Sequence, residues 1–151
     1  MIALLQRVTE ARVTVAGTVI AEIGRGLLVL VGVVRGDREA EANRLAERLL
    51  GYRVFPDDAA RMNLSVRDIG GSVLLVPQFT LAANTSSGLR PSFSTAAPPE
   101  IGAAMFARFV EHIKVSGVAC AVGEFGAEMQ VALTNDGPVT FWLEVEPPPP
   151  A

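Results

Sequence analysis

The sequence is poor in the side chains that most often carry out covalent or metal chemistry. It holds one cysteine, Cys120, and one histidine, His112. A single cysteine excludes an intramolecular disulfide and a thiolate metal cluster within one chain. A single histidine excludes a histidine-rich metal site, and a catalytic triad would have to use His112 itself. We interpret Cys120 as a small apolar strand residue and His112 as a boundary residue of a helix.

Long apolar runs and targeting signals are also missing. No run approaches the roughly 18–20 residues that a membrane-spanning helix needs, and the longest, residues 27–34, is typical of a buried strand. The amino terminus has neither a basic region nor a hydrophobic region of signal-peptide length. We therefore expect a cytosolic protein without a membrane partner.

The charge balance disfavours one class of partner. The chain carries 13 basic and 16 acidic residues, and its net charge is −3. Non-specific nucleic-acid binding depends on many cationic contacts with phosphates, so a negative total argues against it. A local arginine patch that grips one end of an RNA stays compatible with this charge. Half of the residues are apolar, and we expect part of this surface to be buried between subunits.

The apolar periodicity predicts one α/β domain. Residues 12–20 carry Ala16-Gly17 between two short apolar runs, which predicts a β-hairpin, and residues 27–34 predict a central strand that is buried on both faces. A first helix is predicted from about Arg38 to Gly51 with Asp37 as its cap, and a second from about Glu100 to Ser116. We predict a twisted, mixed but largely antiparallel β-structure, barrel-like, with two main helices.

Two segments combine turn residues with polar groups, and the first follows a predicted strand. Residues 72–81 form an apolar run that ends in Pro77-Gln78-Phe79-Thr80. Pro77 lacks a backbone donor, so the strand should be an edge or bulged there. Main-chain N–H groups at a strand end suit an oxyanion site. Thr80 is a nucleophile only if a base lies beside it, and the alternative is a local hydrogen bond; Phe79 is more typical of a core.

The second segment is residues 135–140, Asn-Asp-Gly-Pro-Val-Thr. Strand-like residues flank it on both sides, at 129–133 and 139–145, so we predict the tip of a hairpin. A Gly137-Pro138 bond is able to adopt the cis form at low cost. Such a tip would present two backbone carbonyls at a fixed angle and no side chain at Gly137. The simpler interpretation is an ordinary turn.

Together, these two segments resemble the signature motifs of the D-aminoacyl-tRNA deacylase family. The similarity covers residues 1–146, including the start Met-Ile-Ala-Leu-Leu-Gln-Arg-Val and residues 90–93, Arg-Pro-Ser-Phe. We therefore assign residues 1–146 to a D-aminoacyl-tRNA deacylase domain. Residues 147–151 are assigned to a polyproline tail outside it.

The resemblance implies a homodimer that hydrolyses the ester between a D-amino acid, or glycine, and the terminal ribose of tRNA, with no cofactor and no metal. Gln78, Phe79 and Thr80 would line the catalytic pocket, and Pro77 beside them would be a substrate-binding residue. Gly137 and Pro138 would reach into the partner's pocket as a cis pair and exclude L-side chains, and Arg7 would lie near them. In this family the ribose 2′-hydroxyl, rather than a protein nucleophile, assists the attacking water.

One position departs from the family pattern. The first motif usually begins with serine, whereas this chain has Pro77, so any contact made by that serine is absent. Two other functions compete with the deacylase interpretation. One is a dimeric RNA-end binding module without chemistry; the other is an esterase that uses carboxylates to hold a metal ion, which the His and Cys counts disfavour.

Overall fold

The computed structural model describes residues 1–150; Ala151, the last residue of the predicted tail, lies outside the described residues. Residues 1–150 form eight strands and two α-helices, together with a 3₁₀ turn at Phe79–Ala82. The strands are β1 (Ile2–Val15), β2 (Thr18–Ile23), β3 (Gly26–Gly32), β4 (Phe55–Pro56), β5 (Met62–Leu64), β6 (Ser72–Pro77), β7 (Ala119–Val122) and β8 (Gln130–Glu144). The helices are α1 (Glu39–Gly51) and α2 (Pro99–Val115).

The main sheet is organised around β1, the longest strand but one. One edge of β1 pairs first with β3 and then with β2, and the other edge pairs with β8, all antiparallel. Strand β6 is parallel to β3, and β7 is parallel to β6. Contacts of β2 with β6 and β7 curl the sheet towards closure. The predicted mixed, largely antiparallel, barrel-like structure with two helices is therefore confirmed.

The core lies on both faces of this sheet. Leu27, Val29 and Val31 of β3 belong to the cluster that packs under the two helices, whereas Leu28 belongs to a second cluster inside the curled sheet. All four side chains are at most 2 % exposed. This burial on both faces confirms the prediction of a central strand.

The local turn predictions succeed at the first hairpin and fail at the first helix. Ala16 and Gly17 both have positive φ, at 47° and 80°, and connect β1 to β2 as expected. Asp37 does not cap α1, because its buried carboxylate accepts hydrogen bonds from the Val34 N–H at 2.7 Å and from the Met1 amino group at 2.9 Å. Arg38 is the N-cap residue instead, and its N–H donates to the carboxylate of Glu41 in the first turn at 2.8 Å.

Within residues 1–150, none of the helices combines the length and the apolar character needed to cross a membrane. Residues 147–150 form neither helix nor strand.

Candidate functional site

The segment 135–140 forms a large bulge within one strand, and the prediction of a hairpin tip is wrong. Both flanks of the segment belong to β8 and pair with β1, with Asn135 opposite Val8 and Thr140 opposite Gln6. The four residues 136–139 therefore stand opposite the single residue Arg7. The two flanks do not pair with each other, as they would in a hairpin, because both pair with β1.

The central residues of the bulge are exposed, and one side chain connects the two ends of the bulge through hydrogen bonds. Gly137 and Pro138 are exposed and are joined by a cis peptide bond. The Asn135 carboxamide accepts the Val139 N–H at 2.7 Å and donates to the Val139 carbonyl at 3.2 Å. The same NH₂ group lies 3.0 Å from the Thr140 hydroxyl oxygen. Asn135 thus satisfies backbone groups that leave the β1–β8 ladder at the bulge.

Arg7 holds the bulge from the side. Its Nε donates to the Asp136 carbonyl at 2.9 Å, and its Nη1 donates to the Val54 carbonyl at 2.7 Å. Its side chain is only 13 % exposed, and the Asp136 carboxylate lies 3.7 Å from Nε. The fork geometry of a guanidinium lets it bind both carbonyls at once. Arg7 therefore ties the bulge to the chain just before β4.

The second segment begins where β6 ends. Strand β7 stops pairing opposite Leu75, so at Pro77 the strand has a neighbour only on its β3 side, as expected of a residue without an N–H. The predicted strand to Leu81 is too long, because the Gln78 N–H still donates to the Val31 carbonyl at 2.7 Å but the chain then enters the 3₁₀ turn. The first N–H groups of this turn have no intrahelical acceptor.

The side chains of this turn face outwards. Thr80 is exposed, and the partner of its hydroxyl among residues 1–150 is the Gln78 amide, which donates to it. No base accompanies it in that contact, so the local hydrogen bond is the interpretation that fits. Phe79 is 60 % exposed, and the expectation of a core residue is wrong.

A pocket of about 420 Å³ opens beside this turn. Its walls come from the ends of β3 and β6, the start of α2 and the connection between β7 and β8. Pro77, Gln78 and Phe79 line it, and Phe106 and Phe125 face each other across 6.4 Å between ring centroids. Sequence reasoning missed Phe125, because a lone aromatic in a Gly-containing connection carries no periodic signal. Phe106 was hidden in the apolar stripe of α2.

Within one chain the bulge and the pocket are far apart. The bulge lies opposite Arg7, whereas Pro77 lies level with Val31 and, through the β1–β3 register, with Ala3. Four residues of strand correspond to about 13 Å along the sheet, and the three spacings from β8 to β6 add about 14 Å across it. None of residues 135–140 is among the residues that line the pocket of the same chain.

The rare nucleophilic and metal-ligating residues do not gather at either segment. Among residues 1–150, no three His, Cys, Asp or Glu side chains lie close enough together to hold a metal ion. Cys120 is partly buried in β7, and that burial raises the pKa of its thiol, which keeps it protonated and weakly nucleophilic. His112 lies half-buried on α2, away from the pocket lining.

The fold of this chain is similar to the folds of known proteins. The fold matches two solved structures over at least 95 % of this chain. One is called "c-Myc DNA Unwinding Element Binding Protein", with a TM-score of 0.92, 39 % identity and coverage of 97 % of this chain and 99 % of that chain. The other is described as a probable eukaryotic D-amino acid tRNA deacylase, with a TM-score of 0.82, 18 % identity and coverage of 95 % and 98 %, which shows a shared fold.

The sequence defines the class more closely. Residues 4–144 match the family described as D-Tyr-tRNA(Tyr) deacylase. A protein of Alkalilimnicola ehrlichii named D-aminoacyl-tRNA deacylase is 63 % identical over 147 residues, which are 97 % of this chain and 98 % of that protein. This chain belongs to the D-Tyr-tRNA(Tyr) deacylase family.

Proposed function

We propose that this chain hydrolyses the ester between a D-amino acid and the terminal ribose of tRNA, releasing the free D-amino acid and the tRNA. Glycine mischarged onto tRNA would be removed in the same reaction. The family membership supports this activity, and the pocket of about 420 Å³ is in the range of small-molecule sites. Water attacks the ester carbonyl and the ribose oxygen leaves with a proton.

The groups around the pocket fit hydrolysis without a protein nucleophile. The first N–H groups of the 3₁₀ turn, at Phe79 and Thr80, are available to stabilise the oxyanion that forms on the carbonyl oxygen. The Thr80 hydroxyl oxygen accepts a hydrogen bond from the Gln78 amide, and no base takes part in that contact. Assistance to the attacking water is assigned to the ribose 2′-hydroxyl of the substrate, as the resemblance to the family implies.

The chain acts as a homodimer in this proposal, and each bulge serves the pocket of the partner subunit. The observation that carries it is the separation of bulge and pocket within one chain, by about 13 Å along the sheet and 14 Å across it. Two identical chains around a twofold axis can exchange such elements symmetrically. Rigid Gly137-Pro138 carbonyls in that position would collide with an L-side chain and leave room for hydrogen.

A deacylation assay on paired substrates tests the activity. We expect purified protein to release D-tyrosine from D-Tyr-tRNA and to spare L-Tyr-tRNA, with activity that survives a chelator. Equal rates on the two substrates would reject the stereochemical filter. Binding of the tRNA end without hydrolysis would favour the RNA-end binding module, and loss of activity with the chelator would favour the metal-dependent esterase.

Subunit complementation tests the shared site. Gly137→Ala impairs the bulge, and Gly102→Phe fills the pocket, since a Cβ at Gly102 already lies 3.4 Å from the Phe125 ring. Mixing the two inactive variants, with subunit exchange, should restore about a quarter of wild-type activity, because half of the dimers are mixed and each has one complete site. No recovery, or a monomer in sedimentation, would contradict the arrangement.

A further inference from the structure

Two phenylalanines outside the core form an exposed pair at the edge of the pocket. Phe79 and Phe93 are 60 % and 43 % exposed, and their ring centroids are 5.2 Å apart with planes tilted by 50°. Phe79 also lines the pocket, so the pair continues the pocket wall onto the surface. An aromatic pair that remains this exposed gives little burial energy to the fold, and its faces are available to a ligand.

The loop that carries Phe93 is held in place by contacts at several points. Asn84 and Ser92 form an antiparallel bridge with backbone bonds of 2.7 and 3.0 Å. Further along, the Thr95 hydroxyl donates to the Ala82 carbonyl, and the Arg35 Nε donates to the Ser94 carbonyl at 2.6 Å. The ring of Phe93 is therefore presented by a tethered loop, which lowers the entropy lost when a ligand binds.

Charge distinguishes this side of the pocket from the opposite one. Residues 69–99 contain no Asp or Glu, and the loop carries Arg90 while Arg35 is bonded to it. The connection that forms another wall, residues 123–129, contains Glu124 and Glu128. A polyanionic strand leading out of the pocket would meet less repulsion over the loop.

We propose that Phe79 and Phe93 form a stacking platform for an unpaired base of the RNA strand that leads into the pocket, with Arg90 and Arg35 facing its phosphates. This inference rests on the proposed function, because it names how the nucleotides before the terminal adenosine are held. Aromatic faces and arginines together are the recurring recognition mode for single-stranded RNA. The competing occupant of the pair is the second copy of this chain.

The test compares two non-hydrolysable ligands. One is adenosine that carries a D-tyrosyl amide on its ribose; the other is a single-stranded RNA ending in CCA with the same terminal group. Phe93→Ala should weaken binding of the RNA about tenfold and leave binding of the adenosine derivative unchanged. Phe93→Tyr, which keeps the ring, should bind both as the wild type does. Leu89→Ala, at a fully exposed position on the same loop, is the matched control.

Each other result overturns the platform. Equal weakening of both ligands would show that Phe93 only supports the pocket, and unchanged RNA affinity would show that the pair contacts no base. A shift of Phe93→Ala towards monomer in sedimentation would assign the pair to the subunit interface. Failure of the proposed function can be distinguished from failure of the platform. Wild-type protein that prefers the RNA ligand but does not hydrolyse D-Tyr-tRNA would support the platform and contradict the deacylase function.

Discussion

The bulge of β8 and the turn after β6 are built in opposite ways. The bulge exposes Gly137 and Pro138, but the amide of Asn135 and the guanidinium of Arg7 fix its backbone through hydrogen bonds of 2.7 to 3.2 Å. The turn after Pro77 is held mainly by its own backbone, and it exposes the side chains of Phe79 and Thr80. One region presents backbone and the other presents side chains.

Because of this difference, we expect the two regions to respond differently to substitutions. A region that works through its backbone position should lose function when a side chain is added or a supporting bond is removed. A region that works through main-chain donors and a hydrophobic surface should tolerate loss of a hydroxyl. Four substitutions test the comparison, and their expected effects decrease in the order Gly137→Ala, Asn135→Ala, Arg7→Lys and Thr80→Ala.

Gly137→Ala should have the largest effect. A Cβ at this position would lie 2.5 Å from the Val139 Cγ2 and 2.6 Å from the Val139 nitrogen, so the bulge must shift. A displacement of about 1 Å in a substrate-positioning element reduces activity roughly 100-fold, and we expect at least that loss in deacylation of D-Tyr-tRNA. Gly24→Ala, where a Cβ meets nothing within 4 Å, is the control. A fully active Gly137→Ala enzyme would contradict the claim that the bulge acts through the position of its backbone.

Asn135→Ala should follow, with a loss of about tenfold in activity and about 1–3 kcal/mol in the free energy of unfolding, because the Val139 N–H and carbonyl both lose their partner. Deacylation rates and denaturant unfolding measure the two effects. Asn135→Asp keeps an acceptor for the N–H but removes the donor, so it separates the two bonds. Gln130→Ala, at an exposed position at the start of the same strand, should change neither quantity; wild-type activity in Asn135→Ala would contradict the assigned role.

Arg7→Lys should reduce activity several-fold, since a single ammonium does not reproduce the fork that reaches Asp136 and Val54 together. The measurement is the steady-state rate on D-Tyr-tRNA at several substrate concentrations. Arg12→Lys on the same strand, exposed to solvent, is the matched control. An Arg7→Lys enzyme with unchanged kcat and KM would show that the bulge keeps its position without this bond.

The sequence predicts the parts of this molecule whose cause is local. The β1–β2 hairpin depends on Ala16 and Gly17, and the buried strand β3 depends on its continuous apolar run, so both are predictable from neighbours in the chain. The two helices follow from apolar spacing in the same way. Asp37 was misassigned because its partners are Met1 and the strand end at Val34, which are not part of the helix signal.

The candidate site depends on pairing between distant segments, which a local pattern does not contain. Residues 135–140 have the composition of a hairpin turn, and only the register of β8 on β1, over more than a hundred residues of sequence, makes them a bulge. The pocket walls at Phe106 and Phe125 are apolar and therefore look like core. The two motifs themselves were found because their residues carried a resemblance to a family.

Thr80→Ala should have the smallest effect, and it tests the other half of the comparison. The hydroxyl is exposed and accepts one hydrogen bond from the Gln78 amide, while the oxyanion donors assigned to this turn are backbone N–H groups that the substitution keeps. We expect deacylation within about threefold of wild type, the size of one exposed hydrogen bond. Thr134→Ala, an exposed threonine on β8, controls for general effects. An inactive Thr80→Ala enzyme with an unchanged melting temperature would make Thr80 the nucleophile, and the turn would then work through a side chain after all.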